Sequence, residues 1–302
     1  MASTAEIKGR IDSIRETRKI TNAMYLIAST KLRRARGELE QTRPYFDALR
    51  REIKRIFRTV NDVDSHYFYP PDQEPEIPGT YGCLVITADK GLAGAYNQNV
   101  LKEARRLLDE HEDMKLFVVG EYGRRFFTQH HIPIERMFLY TAQNPTLDRA
   151  REISTMMLDQ YDAGQLKKIF VIYTDMEDGM TACVHSTRLL PFHRTYFATP
   201  EKEKKVAVPF EFEPSPSVVL NRIMHSYLTG FIYSALIDSF CSEQQARMTA
   251  MDSANRNAEE LLADLSLQYN RVRQAAITQE ITEVTAGAKA QRKKSRKEVQ
   301  VS

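Results

Sequence analysis

Asp89-Lys90-Gly91-Leu92-Ala93-Gly94 is the segment of this 302-residue chain whose residue types and spacing come closest to suggesting chemistry. It follows a buried-strand pattern, Leu84-Val85-Ile86-Thr87, and precedes a helical one running from about Asn97 to Glu110. Two glycines at a strand-to-helix turn leave backbone amides that could hold a phosphate. The dinucleotide fingerprint GxGxxG is missing, however, and GxxxxGK[ST] occurs nowhere. Tight packing between strand end and helix start accounts for the glycines better. Asp89 and Lys90 could act as acid and base, but a surface ion pair is the simpler account. There is no nucleophile elbow, no paired catalytic carboxylates and no Ser/His/Asp arrangement. His130-His131 stand before Ile132-Pro133 without an HExxH context, so a zinc site is not expected. Cys83, Cys183 and Cys241 form no CxxC pair, which suits buried thiols in a reducing compartment. The residues therefore predict no catalytic, cofactor or metal site.

The elements that hold this loop alternate. After Leu84–Thr87 and the helix to Glu110 come a strand at Lys115–Val119, a helix at Arg124–His130, a short strand at Met137–Tyr140 and a helix at Asp148–Tyr161. A fourth strand is expected at Lys168–Tyr173. A fifth, Thr181–Leu190, returns antiparallel after the turn signal Glu177-Asp178-Gly179. Such alternation implies a mostly parallel sheet with helices on its faces. Val60–Gly82, with Pro70-Pro71, Pro75 and Pro78, reads as a linker.

Outside this middle lie two long helical patterns. From Pro216 to Ala286 there is no further proline and a single glycine, Gly230. Within it Met251, Ala254, Ala258, Leu261, Leu265, Gln268, Val272 and Ala275 step by three and four, a heptad seam. At about 1.5 Å per residue such a helix is on the order of 100 Å long, more than a globular core needs. Ser3 to about Val60 forms the second pattern. It opens with a Ser3/Glu6 capping box and carries Ile7, Ile11, Ile14, Ile20, Met24, Ile27, Ala35, Leu39, Leu49, Ile53 and Ile56 as its apolar stripe. Pro44 predicts a bend or break near Arg43. The two stripes can be buried economically against each other in an antiparallel pair.

Net charge is only +3, but residues 1–60 hold 15 Lys/Arg against 7 Asp/Glu. Residues 61–80 hold five acids and no base. The basic helix could face an acidic protein surface, anionic lipid or nucleic acid, or simply solvent. Met1–Asp12 is polar, so no signal peptide is expected. The most apolar stretch, Ser226–Phe240, is too short to span a bilayer.

Ile20-Thr21-Asn22-Ala23-Met24-Tyr25-Leu26-Ile27-Ala28-Ser29-Thr30-Lys31-Leu32-Arg33-Arg34-Ala35 closely resembles the amino-terminal helix motif of the gamma subunits of F-type ATP synthases. Residues 246–254 and 269–283 resemble the carboxy-terminal motifs of the same family, and 89–97 its strand-loop motif. The resemblance covers nearly the whole chain in order. It implies an α+β protein in which the N- and C-terminal helices form a long antiparallel coiled coil around a central Rossmann-like α/β domain. The expected boundaries are 1–60, 83–200 and 215–287, with linkers at 61–82 and 201–214 and an unstructured basic tail at 288–302. It implies a central-stalk rotor without catalytic site or cofactor, which couples proton-driven rotation of a membrane c-ring to ATP synthesis and hydrolysis on beta. The implied partners are alpha, beta, epsilon and the c-ring, not nucleic acid. The implied location is peripheral, on the cytoplasmic face of a bacterial inner membrane.

Carried over residue by residue, the resemblance implies alpha/beta-ring contacts at Met24, Lys31, Arg247, Arg273, Gln274, Thr278 and Glu280. It places c-ring contacts in Thr199–Phe212. Asn22 stands where lysine is common, and Ala93-Gly94-Ala95 replaces a pattern that often contains Cys-Gly-Gly. Lys289–Ser302, with six basic residues, extends past the usual family end. The competing reading is a non-catalytic coiled-coil scaffold with an α/β recognition domain. A nucleotide-dependent enzyme working at Gly91–Gly94 is a further alternative.

Overall fold

The computed structural model describes residues 3–59, 65–69, 77–139, 141–177, 181–193, 197 and 211–299. Five helices and seven strands follow in the order α1 (Thr4–Thr59), β1 (Phe68–Tyr69), β2 (Tyr81–Ile86), α2 (Tyr96–Glu110), β3 (Met114–Val119), α3 (Glu121–Gln129), β4 (Arg136–Phe138), α4 (Leu147–Asp162), β5 (Lys168–Glu177), β6 (Thr181–Leu190), β7 (Phe192–His193) and α5 (Pro216–Val299) among the described residues. The chain divides into two compact units. One comprises Met1–Leu26 with Met251–Ser302, the other Ile27–Ala250.

In the larger unit the sheet order is β4-β3-β2-β5-β6. β2 pairs in parallel with β3 and β5, and β3 with β4, while β6 returns antiparallel to β5. Period-2 alternation sends the central strands to two cores. Cys83, Val85, Leu116 and Val118 face Val100, Leu101, Ala104 and Leu107 of α2 and Phe127 of α3. Leu84, Ile86, Phe117 and Val119 face a larger core built with α4, α1 and α5, including Ile53, Ile56, Ile153, Met157, Leu220, Met224 and Leu236. Each fully buried side chain of this size contributes roughly 1.5–3 kcal/mol. A second, two-stranded sheet pairs β7 with β1, and β1 lies in what the sequence suggested was linker.

α1 passes through Pro44 without a break. The missing N–H orphans the carbonyl of Glu40, and Glu40 and Pro44 are both exposed, so water can take that bond. Beyond the proline Phe46 seats on α5: a Cβ built on Gly230 would lie 2.0 Å from its ring. That contact explains Gly230 in the interior of α5, where a glycine costs about 1 kcal/mol in helix propensity. Phe46 also meets Tyr233.

In the smaller unit the two helices run antiparallel, because Thr21 meets Asn255 and Arg18 meets Glu259 one turn further on (3.3 Å). Ile7, Ile11, Met251 and Ala258 are buried between them. The seam on α5 differs from expectation at alternate positions. Leu261 is 52% exposed, Gln268 and Ala275 are exposed, and Leu262 and Tyr269 turn inward instead. The period is unchanged, but the intermediate positions move by one residue, which exchanges a glutamine for a larger ring. On α1, Ile20 and Ile27 likewise point outward, at 62% and 56% exposure. Thr21 and Ala28 take the inward places.

The Ser3 hydroxyl accepts from the Glu6 amide (3.2 Å), as the capping box requires. α5 continues to Val299, into the stretch for which composition suggested an unstructured tail. Ala, Gln, Lys, Arg and Glu there are good helix formers. Most of Thr199–Phe212, parts of both linkers and the 178–180 turn lie outside the described residues.

Candidate functional site

Reversal of the strand order between β2 and β5 marks the crevice where an open parallel sheet receives a ligand. Here the chain fills it with α5. The Ser239 hydroxyl accepts from the Thr174 amide (3.1 Å), and the Ser242 hydroxyl donates to the Thr174 carbonyl (3.4 Å). Arg247, 8% exposed, donates to the carbonyls of Lys90 and Gly91 (3.3 and 3.1 Å) and pairs with buried Glu243 (2.7 Å). Burial pushes the Glu243 carboxyl up, and Arg247 opposes that shift. The loop thus directs carbonyls, not amides, at its charged neighbour, the wrong polarity for a phosphate. Asp89 caps α3 by accepting from the Glu121 amide (2.9 Å). A cleft of about 880 Å³ borders the same loop, but its Arg124 and Arg125 are already paired with Glu121. Their guanidinium groups hold that carboxyl down at about 2. No set of side chains here is arranged for nucleophilic or acid–base work.

The surface with unmet demands lies elsewhere. Val272 is the last half-buried residue of α5 among those whose side chains are described, and every side chain from 273 to 289 is exposed. The register of the helix pair explains this: with Arg18 opposite Glu259, α1 begins opposite about residue 272. At 100° per residue Arg273, Ile277, Glu280 and Val284 share one stripe, flanked by Gln274, Thr278 and Ile281. Ile277, Ile281 and Val284 are 44%, 59% and 72% exposed. Thr278 satisfies its hydroxyl on the Gln274 carbonyl (2.9 Å), and Thr282 and Thr285 likewise bond back one turn. The face is therefore apolar with a few free charges.

Of the residues expected at the site, Arg273, Gln274, Thr278 and Glu280 come together on this stretch. Met24 is half-buried in the same unit. Lys31 is exposed and Arg247 turned inward in the larger unit. The sequence reading missed Ile277, Ile281 and Val284 as site residues. They step by four and three among themselves, two residues out of phase with Ala275, and that spacing was the available signal.

These features define a class: a protein without visible chemistry, whose terminal helices pair with each other and enclose an α/β domain between them in sequence. A family model described as ATP synthase matches residues 3–291. The chain is 42% identical to the ATP synthase gamma chain of Caldanaerobacter subterraneus subsp. tengcongensis over 291 residues, covering 94% of this chain and 98% of that one. It is 36% identical to the sodium ion specific ATP synthase gamma chain of Acetobacterium woodii, covering 94% and 97%. In fold it is similar to a chain of the Euglena gracilis mitochondrial ATP synthase in an OSCP/F1/c-ring structure, with a TM-score of 0.68, 15% identity and coverage of 95% and 94%. It is also similar to a chain of the Tetrahymena thermophila central stalk/c-ring structure, with a TM-score of 0.54, 22% identity and coverage of 78% and 99%. The chain belongs to the gamma-chain family of ATP synthase, as a non-catalytic component.

Proposed function

We propose that this chain is the central-stalk rotor subunit of an F-type ATP synthase, coupling ion-driven rotation of a membrane c-ring to the nucleotide cycle of catalytic beta subunits. Family membership over 94% of the chain supports this. The structural observation that carries it is the stretch 273–289, an exposed helix with an apolar face that nothing in its own unit covers. Such a surface requires a partner from another chain.

Alpha and beta subunits are that partner in this reading, through Arg273, Gln274, Thr278 and Glu280, with Met24 and Lys31 as further contacts. Epsilon and the c-ring bind the α/β domain, with Thr199–Phe212 on the c-ring side. No described helix is long and apolar enough to cross a membrane, so association with the cytoplasmic face of the inner membrane runs through these partners. The mechanism needs asymmetry, because a binding partner shifts an equilibrium only by its differential affinity for the two states. Arg273 and Ile277 on one face and Gln279 and Glu283 on another present different chemistry as the helix turns. Exposed ion pairs worth about 0–1 kcal/mol each suit contacts that break and re-form.

The test is purification of the complex with this chain tagged, followed by attachment of a bead to the tag. One copy per three alpha and three beta subunits, with ATP-driven rotation of the bead, is the expected result. Stoichiometric binding to a partner with no rotation would favour the scaffold reading.

A further inference from the structure

A hydrophobic core holds two elements together without fixing their register, because apolar attraction is non-directional. The core between the sheet and α5 is of this kind, so something directional must set where α5 sits along the strands. The first turns of α5 bond Ser65, Tyr67 and Ser154 through Asn221, His225 and Thr229, and at the strand ends the directional contacts occur in the crevice between β2 and β5. Ser239 and Ser242 bond both backbone groups of Thr174, two residues past the last β2–β5 pairing, at Ile172. Arg247 reaches the opposite side of the crevice, where it holds the carbonyls of Lys90 and Gly91. Ala88, Ala93, Tyr96 and Ala246 close a small apolar cluster beside it. Arg247 is 8% exposed and Glu243 6%, so this ion pair is a buried fixture rather than a surface contact.

We propose that Arg247, with Ser239 and Ser242, forms a register joint fastening α5 to the end of the sheet, and that Arg247 is a positioning residue for coupling rather than a contact to the alpha/beta ring. Its role in coupling rests on the rotor reading; the joint itself does not. Turning force delivered to the α/β domain has to pass into α5, and a joint that slips dissipates it. Arg247 suits this place because its planar fork holds two carbonyls from one nitrogen and the Glu243 carboxylate from the other, a fixed spread that the single ammonium of a lysine does not present.

The variant that isolates the joint is Glu243→Gln with Arg247→Met. It removes both buried charges together at similar volume, a change that is often near neutral in stability. Hydrogen exchange on the isolated full-length chain reads the joint without any partner. Amides 88–95 are expected to exchange at least about tenfold faster in the double variant, and unchanged exchange there overturns the proposal. In membrane vesicles carrying the whole complex, ATP hydrolysis is expected to stay within about twofold of wild type. Ion transport per ATP hydrolysed is expected to fall about fivefold, with Arg247→Lys alone in between. Adding Ala93→Cys and Ala246→Cys to the double variant, with Cys183→Ser, lets a disulfide stand in for the lost clamp. Oxidation is expected to restore transport and reductant to abolish it again. Faster exchange with full coupling, or lost coupling that the disulfide leaves unrestored, rules out the positioning role and returns Arg247 to a partner contact. A chain absent from the complex altogether would instead defeat the rotor reading and leave the exchange result standing.

Discussion

The two units of this molecule treat apolar residues in opposite ways. In the α/β unit Leu84, Val85, Phe117 and Val119 are wholly buried, and both faces of the sheet are covered. In the helix-pair unit, among the described residues, only Ile7, Ile11, Met251 and Ala258 are buried, while Leu261, Leu267, Ile277, Ile281 and Val284 stay open to solvent. The first unit closes its core within itself and leaves only peripheral residues such as Leu92 and Leu139 outside it. The second is built to be completed by something else, which is why stability and function should separate between them under mutation.

The largest effect is expected in the self-sufficient unit. Phe117→Ala should destabilise the chain by about 3–5 kcal/mol in urea unfolding, through loss of a ring buried in the larger core. Next comes Asp238, whose carboxyl is pushed up to about 6 by burial and by Asp175, against help from Ser234 and Arg43. A carboxyl raised above its unfolded value of 3.8 binds more protons when folded. It therefore favours the folded state at low pH, and this advantage is lost as pH rises from about 4 through 6. Asp238→Asn should flatten that slope and stabilise the chain at pH 7, by at most about 3 kcal/mol. Paired pH titrations of thermal unfolding check it; a wild-type slope identical to the variant's would refute it.

Gly230→Ala should cost about 1–3 kcal/mol, since the new methyl collides with Phe46, although alanine is the better helix former. In a Phe46→Ala background the same change should become stabilising, and a double-mutant cycle measures the reversal. The smallest stability effect belongs to Ile277→Ser with Ile281→Ser and Val284→Ser, within about 0.5 kcal/mol for each substitution in the isolated chain. The same triple variant should lower incorporation into the complex severalfold, which sharpens the contrast between the units. Equal losses of stability in both units would erase it.

The α/β unit was legible because its signals are local and redundant. Leu84–Thr87 and Lys168–Tyr173 are apolar runs with turn residues near their ends, and alternation with helices implies a mostly parallel sheet, though not the order of its strands. β1 and β7 were not legible, since two-residue strands carry no period. The helix pair was legible in length and period but not in phase. Leu261-Leu262 offers two equivalent leucines, and only the partner helix selects Leu262. Ile20 and Ile27 were misplaced for the same reason: an exposed face meant for another molecule is as apolar as a buried one. Arg247 looked like a surface residue in its motif, and nothing within the motif reveals the Lys90 and Gly91 carbonyls more than 150 positions earlier. Pro44 does not break α1, because water at its exposed turn can take the bond the missing N–H leaves open.

The antiparallel register of the smaller unit has one further consequence. Thr21 faces Asn255 and Arg18 faces Glu259, so the two ends of the chain are matched step for step. One residue inserted between positions 12 and 17 would swing everything N-terminal to it by about 100°, carrying Ile7 and Ile11 off the seam. Both termini can therefore change length only in whole heptads, or together, and ancestral insertions should be found in the loops of the α/β unit and beyond residue 289 instead.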